Sequence, residues 1–251
     1  MGTVALTDGV RFGDRVRVNR RSHVESASFA GYRFPPEAIL LAVRWYLRYG
    51  LSYRDVEELL VERGIEVDHV TVYHWVQRFT PLLIDAARPC RHSVGDRWSV
   101  DETYVKVAGV WRYGYRAVDQ YGQVIDVYVS KRRNLYAAGH FFTTALVAHG
   151  RPAEVTTDLA APLLRIVDEL LPGVIHDIER YANNRIENDH GRLKARLRSM
   201  RGLSTDRTAS VVINGHAFIQ NLRRGHYELG VETGNECLRV VTAFDELADV
   251  I

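Results

Sequence analysis

Three carboxylates sit where an acidic side chain has to be accounted for. Asp101 lies inside the strand-like run WSVDETYVKV, between Val100 and the Tyr104-Val105 pair. A charge in such a run either faces solvent or does chemistry. Its neighbour Glu102 falls on the opposite face, because side chains alternate along a strand. Asp158 ends the short run VTTD at 155–158. That is the carboxyl end of a strand, where open α/β sheets place ligands. Glu187 falls in the first turn of a helix, within NNRIENDHGRLK. Oxygen donors from two strands and a helix suit hard divalent cations such as Mg2+. Taken singly, each also suits a solvated surface charge or a helix-terminus charge. Asp119, Asp126, Asp177, Glu179 and Asp189 compete on composition alone.

The helix that carries Glu187 adds information. His190, Lys194 and Arg198 follow it at 3, 7 and 11 residues, so all four share a face. Arg196 and Arg201, with Arg192, widen the positive surface. A carboxylate followed by basic groups suits a metal at one end and a phosphate backbone leading away. A basic solvated helix face has the same pattern.

The elements that must position these groups can be read from periodicity. A helix starts at Pro35-Pro36, with Ile39, Val43, Tyr46 and Leu47 on one face, and Gly50 ends it. Ser52 caps a second helix, with Asp55 completing a short capping box, and Gly64 stops it. Asp68 caps a third, in which Val72, Trp75, Val76 and Phe79 point inward. Three short helices joined by tight turns suit a helix-turn-helix unit. On the third, His69, Thr71, Tyr73, His74, Gln77 and Arg78 are left facing out, and these side chains can bond base edges and phosphates. A small helical bundle with a polar exterior fits the segment equally well.

Residues 81–97, with Pro81, Pro89 and Gly95, read as a linker. The period then changes to that of strands, at 98–107, 111–119 and 123–130. A helix at 135–147, a strand at 154–157, a helix at 162–171, a strand at 174–176 and helices at 184–200 and 208–222 follow. Three strands in a meander, then helix, strand, helix, strand and helix, make a mixed five-stranded α/β sheet. The expected organisation is an accessory N-terminal arm (1–33), an all-α helix-turn-helix domain (34–80), the linker, an α/β domain (98–204) and a C-terminal helical segment (205–251) packed on it.

Composition narrows the classes. At 251 residues and 46% hydrophobic, the chain has material for a real core. No run approaches the ~20 apolar residues a membrane span needs. The first 21 residues lack the apolar stretch of a secretory signal. Two distant cysteines, Cys90 and Cys237, exclude a cysteine-built zinc site, and no disulfide is expected in a cytoplasmic protein. The net charge is only +2, but eight basic residues face three acidic ones between Arg180 and Arg207. No Gly-rich phosphate loop and no nucleophile elbow occur, which disfavours a metabolic enzyme.

Several ordered motifs together resemble a known family. DETYVKV at 101–107, WRYGYRAVD at 111–119, TTDLAAP at 156–162, NNRIENDHGRLKARLRSMRGL at 183–203 and GHAFIQNLRRGHYELG at 215–230 resemble bacterial DDE transposases of insertion-sequence family six. The stretch at 44–79 fits as well, and the likeness covers about residues 32–230. The resemblance implies a ribonuclease-H-like core of the retroviral integrase type. By motif, Asp101, Asp158 and Glu187 match its catalytic, metal-binding carboxylates, and Lys194 a basic position that contacts DNA ends. Two Mg2+ ions, or Mn2+ in their place, would serve phosphoryl transfer. The implied partners are double-stranded DNA, as terminal inverted repeats and as target, and further copies of the chain; no membrane is implied. Rival readings are a catalytically decayed helix-turn-helix DNA-binding protein and a nuclease of the same fold that does not join ends. Only 28 residues separate Asp158 from Glu187, which implies a shortened connection near 170–180.

Overall fold

The computed structural model describes residues 27–158, 160–178, 184–200 and 203–251. Nearly all of the expected N-terminal arm therefore lies outside the described residues. Three helices come first, α1 (Pro36–Arg48), α2 (Tyr53–Val61) and α3 (His69–Ala87). Local chemistry sets their starts. Ser52 Oγ accepts from Asp55 N at 3.2 Å while Asp55 Oδ2 accepts from Ser52 N at 2.7 Å, a complete capping box. Asp68 Oδ1 accepts from Val70 N and Thr71 N at the head of α3. The residues expected to begin a linker at Pro81 instead continue α3 to Ala87. Pro81 removes one backbone bond, but Phe79, Leu83 and Ala87 keep the helical spacing and are all buried. Burial of that stripe outweighs the lost bond.

The sheet comprises β1 (Arg97–Val107), β2 (Val110–Asp119), β3 (Val124–Ser130), β4 (Glu154–Thr157) and β5 (Ile175–Asp177), in the order β3-β2-β1-β4-β5. The pairs β1–β2 and β2–β3 are antiparallel, whereas β4 runs parallel to both β1 and β5. That is the ribonuclease-H-like arrangement, with boundaries within a residue of those expected from periodicity. Ala108 and Gly109 both have positive φ in the two-residue turn joining β1 to β2, as the twist of a tight hairpin requires.

Helices cover both faces of the sheet. On one side α4 (Leu135–His149) and α5 (Ala161–Leu170) enclose a core with Trp98, Val100, Tyr115, Phe141, Phe142 and Leu163. On the other lie α6 (Asn184–Ser199), α7 (Asp206–Arg223) and α8 (Glu236–Ala248). This second core runs without a break from the sheet residues Val105 and Val118 through Ile213 and Phe218 of α7 to Val43 and Phe79 of the first three helices. Cys90 is half-buried, Cys237 is exposed, and both are free thiols. Among the described residues no helix is long and apolar enough to cross a membrane.

Candidate active site

The parallel pairing of β1 with β4 ends at Val100 and Thr157. Asp101 and Asp158 are the next residues on these neighbouring strands, whose backbones lie about 4.8 Å apart. Two carboxylates that are separate in sequence thus emerge together. Burial raises the Asp158 pKa, and the charge of Asp101 raises it further. The Asp101 side chain is fixed at both oxygens. Its Oδ1 accepts from the Glu102 backbone N at 2.7 Å, and its Oδ2 lies 3.2 Å from Nδ1 of His190. Asp158 Oδ1 accepts from Ala160 N at 3.1 Å, which shapes the turn into α5.

The third expected carboxylate, Glu187, occupies a first-turn position of α6, three residues before His190. Its side chain lies outside the described set. What can be stated is how α6 is held. Asp189 pairs with Nε of Arg116 on β2, with the two side chains only 2% and 1% exposed. Arg224 Nη2 reaches the same carboxylate at 3.0 Å, and Arg116 Nη2 donates to Gln220 Oε1 of α7 at 2.6 Å. Burial lowers the Arg116 pKa to about 10 against the opposing charge of Asp189. This buried network fixes the rotation of α6 about its axis.

Of the competing acids, Glu179 lies outside the described residues, and Asp119 and Asp189 have structural partners. Asp119 accepts from Gly95 N, Tyr121 N and Gln123 N around a turn, and Asp189 belongs to the network just described. Glu102, on the opposite face of β1 from Asp101, has a side chain only 4% exposed and pairs with Arg133. Burial raises its pKa; Arg133 opposes the rise, and the charges of Asp158 and Asp101 add to it.

The donor set fits a hard cation. Asp101 and Asp158 are oxygen donors whose mutual repulsion a cation between them would relieve. Among the described residues no group of three or more such ligands assembles.

The family model and the curated relatives agree on a family. Residues 95–226 match the family described as a DDE domain. Over 178 residues the chain is 36% identical to the transposase for insertion sequence-like element IS431mec of Staphylococcus aureus, a span of 69% of this chain and 80% of that protein. The chain belongs to the DDE transposases of insertion-sequence family six. The transposase for insertion sequence element IS257 in transposon Tn4003, also from Staphylococcus aureus, matches at the same 36% identity over the same shares of both chains. Among solved structures, the HTLV-2 integrase catalytic core domain in complex with magnesium aligns at TM-score 0.38 and 17% identity, covering 53% of this chain and 88% of that one.

In this transposase the residues expected to face DNA fall into two groups. On α3, His74 and Arg78 are exposed. His69 is tied to α2, its backbone N and its Nδ1 meeting Glu57 Oε2 at 3.0 and 2.9 Å. Thr71 Oγ1 donates to Asp68 Oδ2 at 2.8 Å within the cap. Tyr73 and Gln77 correct the expectation of an outward face. Tyr73 packs edge-on to Tyr53 with its hydroxyl 3.4 Å from Thr208 Oγ1. Gln77 is half-buried, with Nε2 shielded from solvent. The reason is that α7 and α2 cover a face that looks free when α3 is considered alone.

On α6, Lys194 and Arg198 are exposed, whereas His190 is buried against Asp101. A spacing of four residues rotates about 40° around a helix. The stripe from His190 to Arg198 therefore climbs from the sheet into solvent. Arg196 is a second correction. It is half-buried and donates to the Leu47 carbonyl and, at 3.5 Å, to that of Tyr46, where α1 ends. Arg201 lies outside the described residues. Sequence reasoning missed Arg116 and Arg133. Arg116, a charge inside the alternating strand YGYRAVD, carried a signal; Arg133, in a loop, carried none.

Proposed function

We propose that this transposase binds the terminal inverted repeats of its own element, cleaves a phosphodiester at each end, and joins the freed 3′-hydroxyl to target DNA. The observation that carries the reading is the emergence of Asp101 and Asp158 side by side from adjacent parallel strands, with α6 held against them. Asp101, Asp158 and Glu187 would hold the metal. Divalent ions, when bound, supply activation of the attacking oxygen and stabilisation of the leaving oxygen in an in-line displacement.

The chain's own side chains do the rest. Nδ1 of His190 and the Glu102 backbone N hold Asp101 in one orientation. Lys194 and Arg198 present charge to the phosphate backbone leading from the site. His74 and Arg78 on α3 are the exposed side chains suited to reading an inverted repeat in the major groove. Both ends must be cut together, so the working form is a dimer or larger.

The test uses end-containing DNA duplexes with Mg2+. Asp101→Asn, Asp158→Asn and Glu187→Gln should each abolish joining while binding and folding persist. Wild-type joining by any of the three would remove that residue from the site. Lys194→Ala should weaken end binding and reduce its salt dependence.

A further inference from the structure

The two carboxylates at the end of the β1–β4 pairing repel the DNA backbone they have to approach. A fixed cation beside them would offset that, and the structure holds one that the catalytic carboxylates do not account for. Glu102 carries a charge into the apolar face of the sheet, opposite Tyr115 in the β1–β2 register. An unpaired buried carboxylate is strongly disfavoured. Its partner is Nε of Arg133, from the loop between β3 and α4. The Glu102 side chain is 4% exposed and that of Arg133 39%, so the pair has a buried end and an open end. Glu102 meets the guanidinium at Nε.

The opening faces the reaction. Arg133 and Asp158 line one surface depression, with Ala160, Ala161 and Pro162 at the start of α5 as its other wall. The Arg133 charge also acts on the Asp158 carboxyl. The catalytic pair is therefore flanked on the α6 side by His190 and on the α4–α5 side by Arg133.

We infer that Arg133 is a phosphate-binding residue of the active site. It clamps a DNA phosphate next to the reacting one, while Glu102 is a positioning residue that holds its Nε and turns the remaining fork outward. Arginine suits the task because its planar donors match phosphate oxygens in pairs and its charge persists near carboxylates. The assignment rests on the function proposed above.

The test is the full chain carrying E102Q/R133Q, which removes both charges, so that no carboxylate is left buried and unpaired. Affinity for a precleaved end duplex should fall roughly tenfold, as expected for loss of one charge-assisted contact. The salt slope of binding should drop by about 1, and joining should fall in parallel. Wild-type affinity, slope and joining in the double variant would overturn the assignment and reduce Arg133 to a counter-ion for Glu102. Should the double variant lose its fold, R133K decides: it keeps the pair but lacks the fork, so a several-fold weaker affinity is expected, and wild-type affinity overturns the inference. A wild-type chain that neither binds nor joins end DNA would sink the broader function instead, which keeps the two failures apart.

Discussion

Asp101 accepts one hydrogen bond from its own strand and faces one ring nitrogen from α6. With Nδ1 protonated, His190 donates to Oδ2 and leaves the carboxylate a single orientation. Groups that orient a metal-binding side chain typically contribute 10–100-fold to affinity or activity. His190→Leu should therefore lower the joining rate by about that factor, and it should raise the Mg2+ concentration needed for half-maximal rate. His190→Gln, whose amide can still donate, should recover part of the loss. Equal joining by His190→Leu and wild type would show that the contact is passive.

Helix α6 is positioned by charge buried on its sheet-facing side and by Arg196, which ties it to the end of α1. Breaking a buried pair by removing one partner costs about 3–5 kcal/mol, whereas replacing both by apolar groups of similar size is often neutral. Asp189→Ala should lose about that much in urea unfolding, because Arg116 and Arg224 both lose a partner. The double variant R116M/D189L should regain most of the stability yet join ends poorly, since the apolar pair leaves the rotation of α6 less constrained. Full activity in that double variant would mean that packing alone sets the helix.

At the scale of the molecule, α7 joins the parts. It packs on α1 and α3 as well as on β3 and α8. Gly215 permits the closest approach, since a Cβ there would lie 2.6 Å from Leu47 and 2.8 Å from Thr80. Two histidines are held in their neutral form, His216 on α7 and His149 at the end of α4. Burial, reinforced by nearby arginines, keeps His216 well below its usual 6.5 and His149 at about 4. The unfolded chain protonates these rings at about pH 6.5. Stability from a depressed histidine is thus complete above that pH and is lost as pH falls towards the folded value. Relative to wild type, His149→Gln should become progressively more stable as pH drops from about 6.5 to about 4. Urea midpoints at several pH values check this, and parallel curves for the two proteins would refute it.

The sequence by itself determined most of the elements and named three candidate carboxylates. Helix caps such as Ser52 with Asp55 and strand alternation act over a few residues, and local chemistry can be read locally. The motifs around Asp101, Asp158 and Glu187 carried the family for the same reason. What covers each surface was decided only by the tertiary structure. Tyr73, Gln77, His190 and Arg196 all look solvent-facing on an isolated helix, and each is turned towards a neighbour distant in the chain. Arg133 shows the converse, since nothing in its loop announces it until Glu102 and Asp158 are brought beside it. Periodicity specifies which side chains share a face. Only packing specifies what that face meets, because burial and charge pairing depend on residues that the chain brings together last.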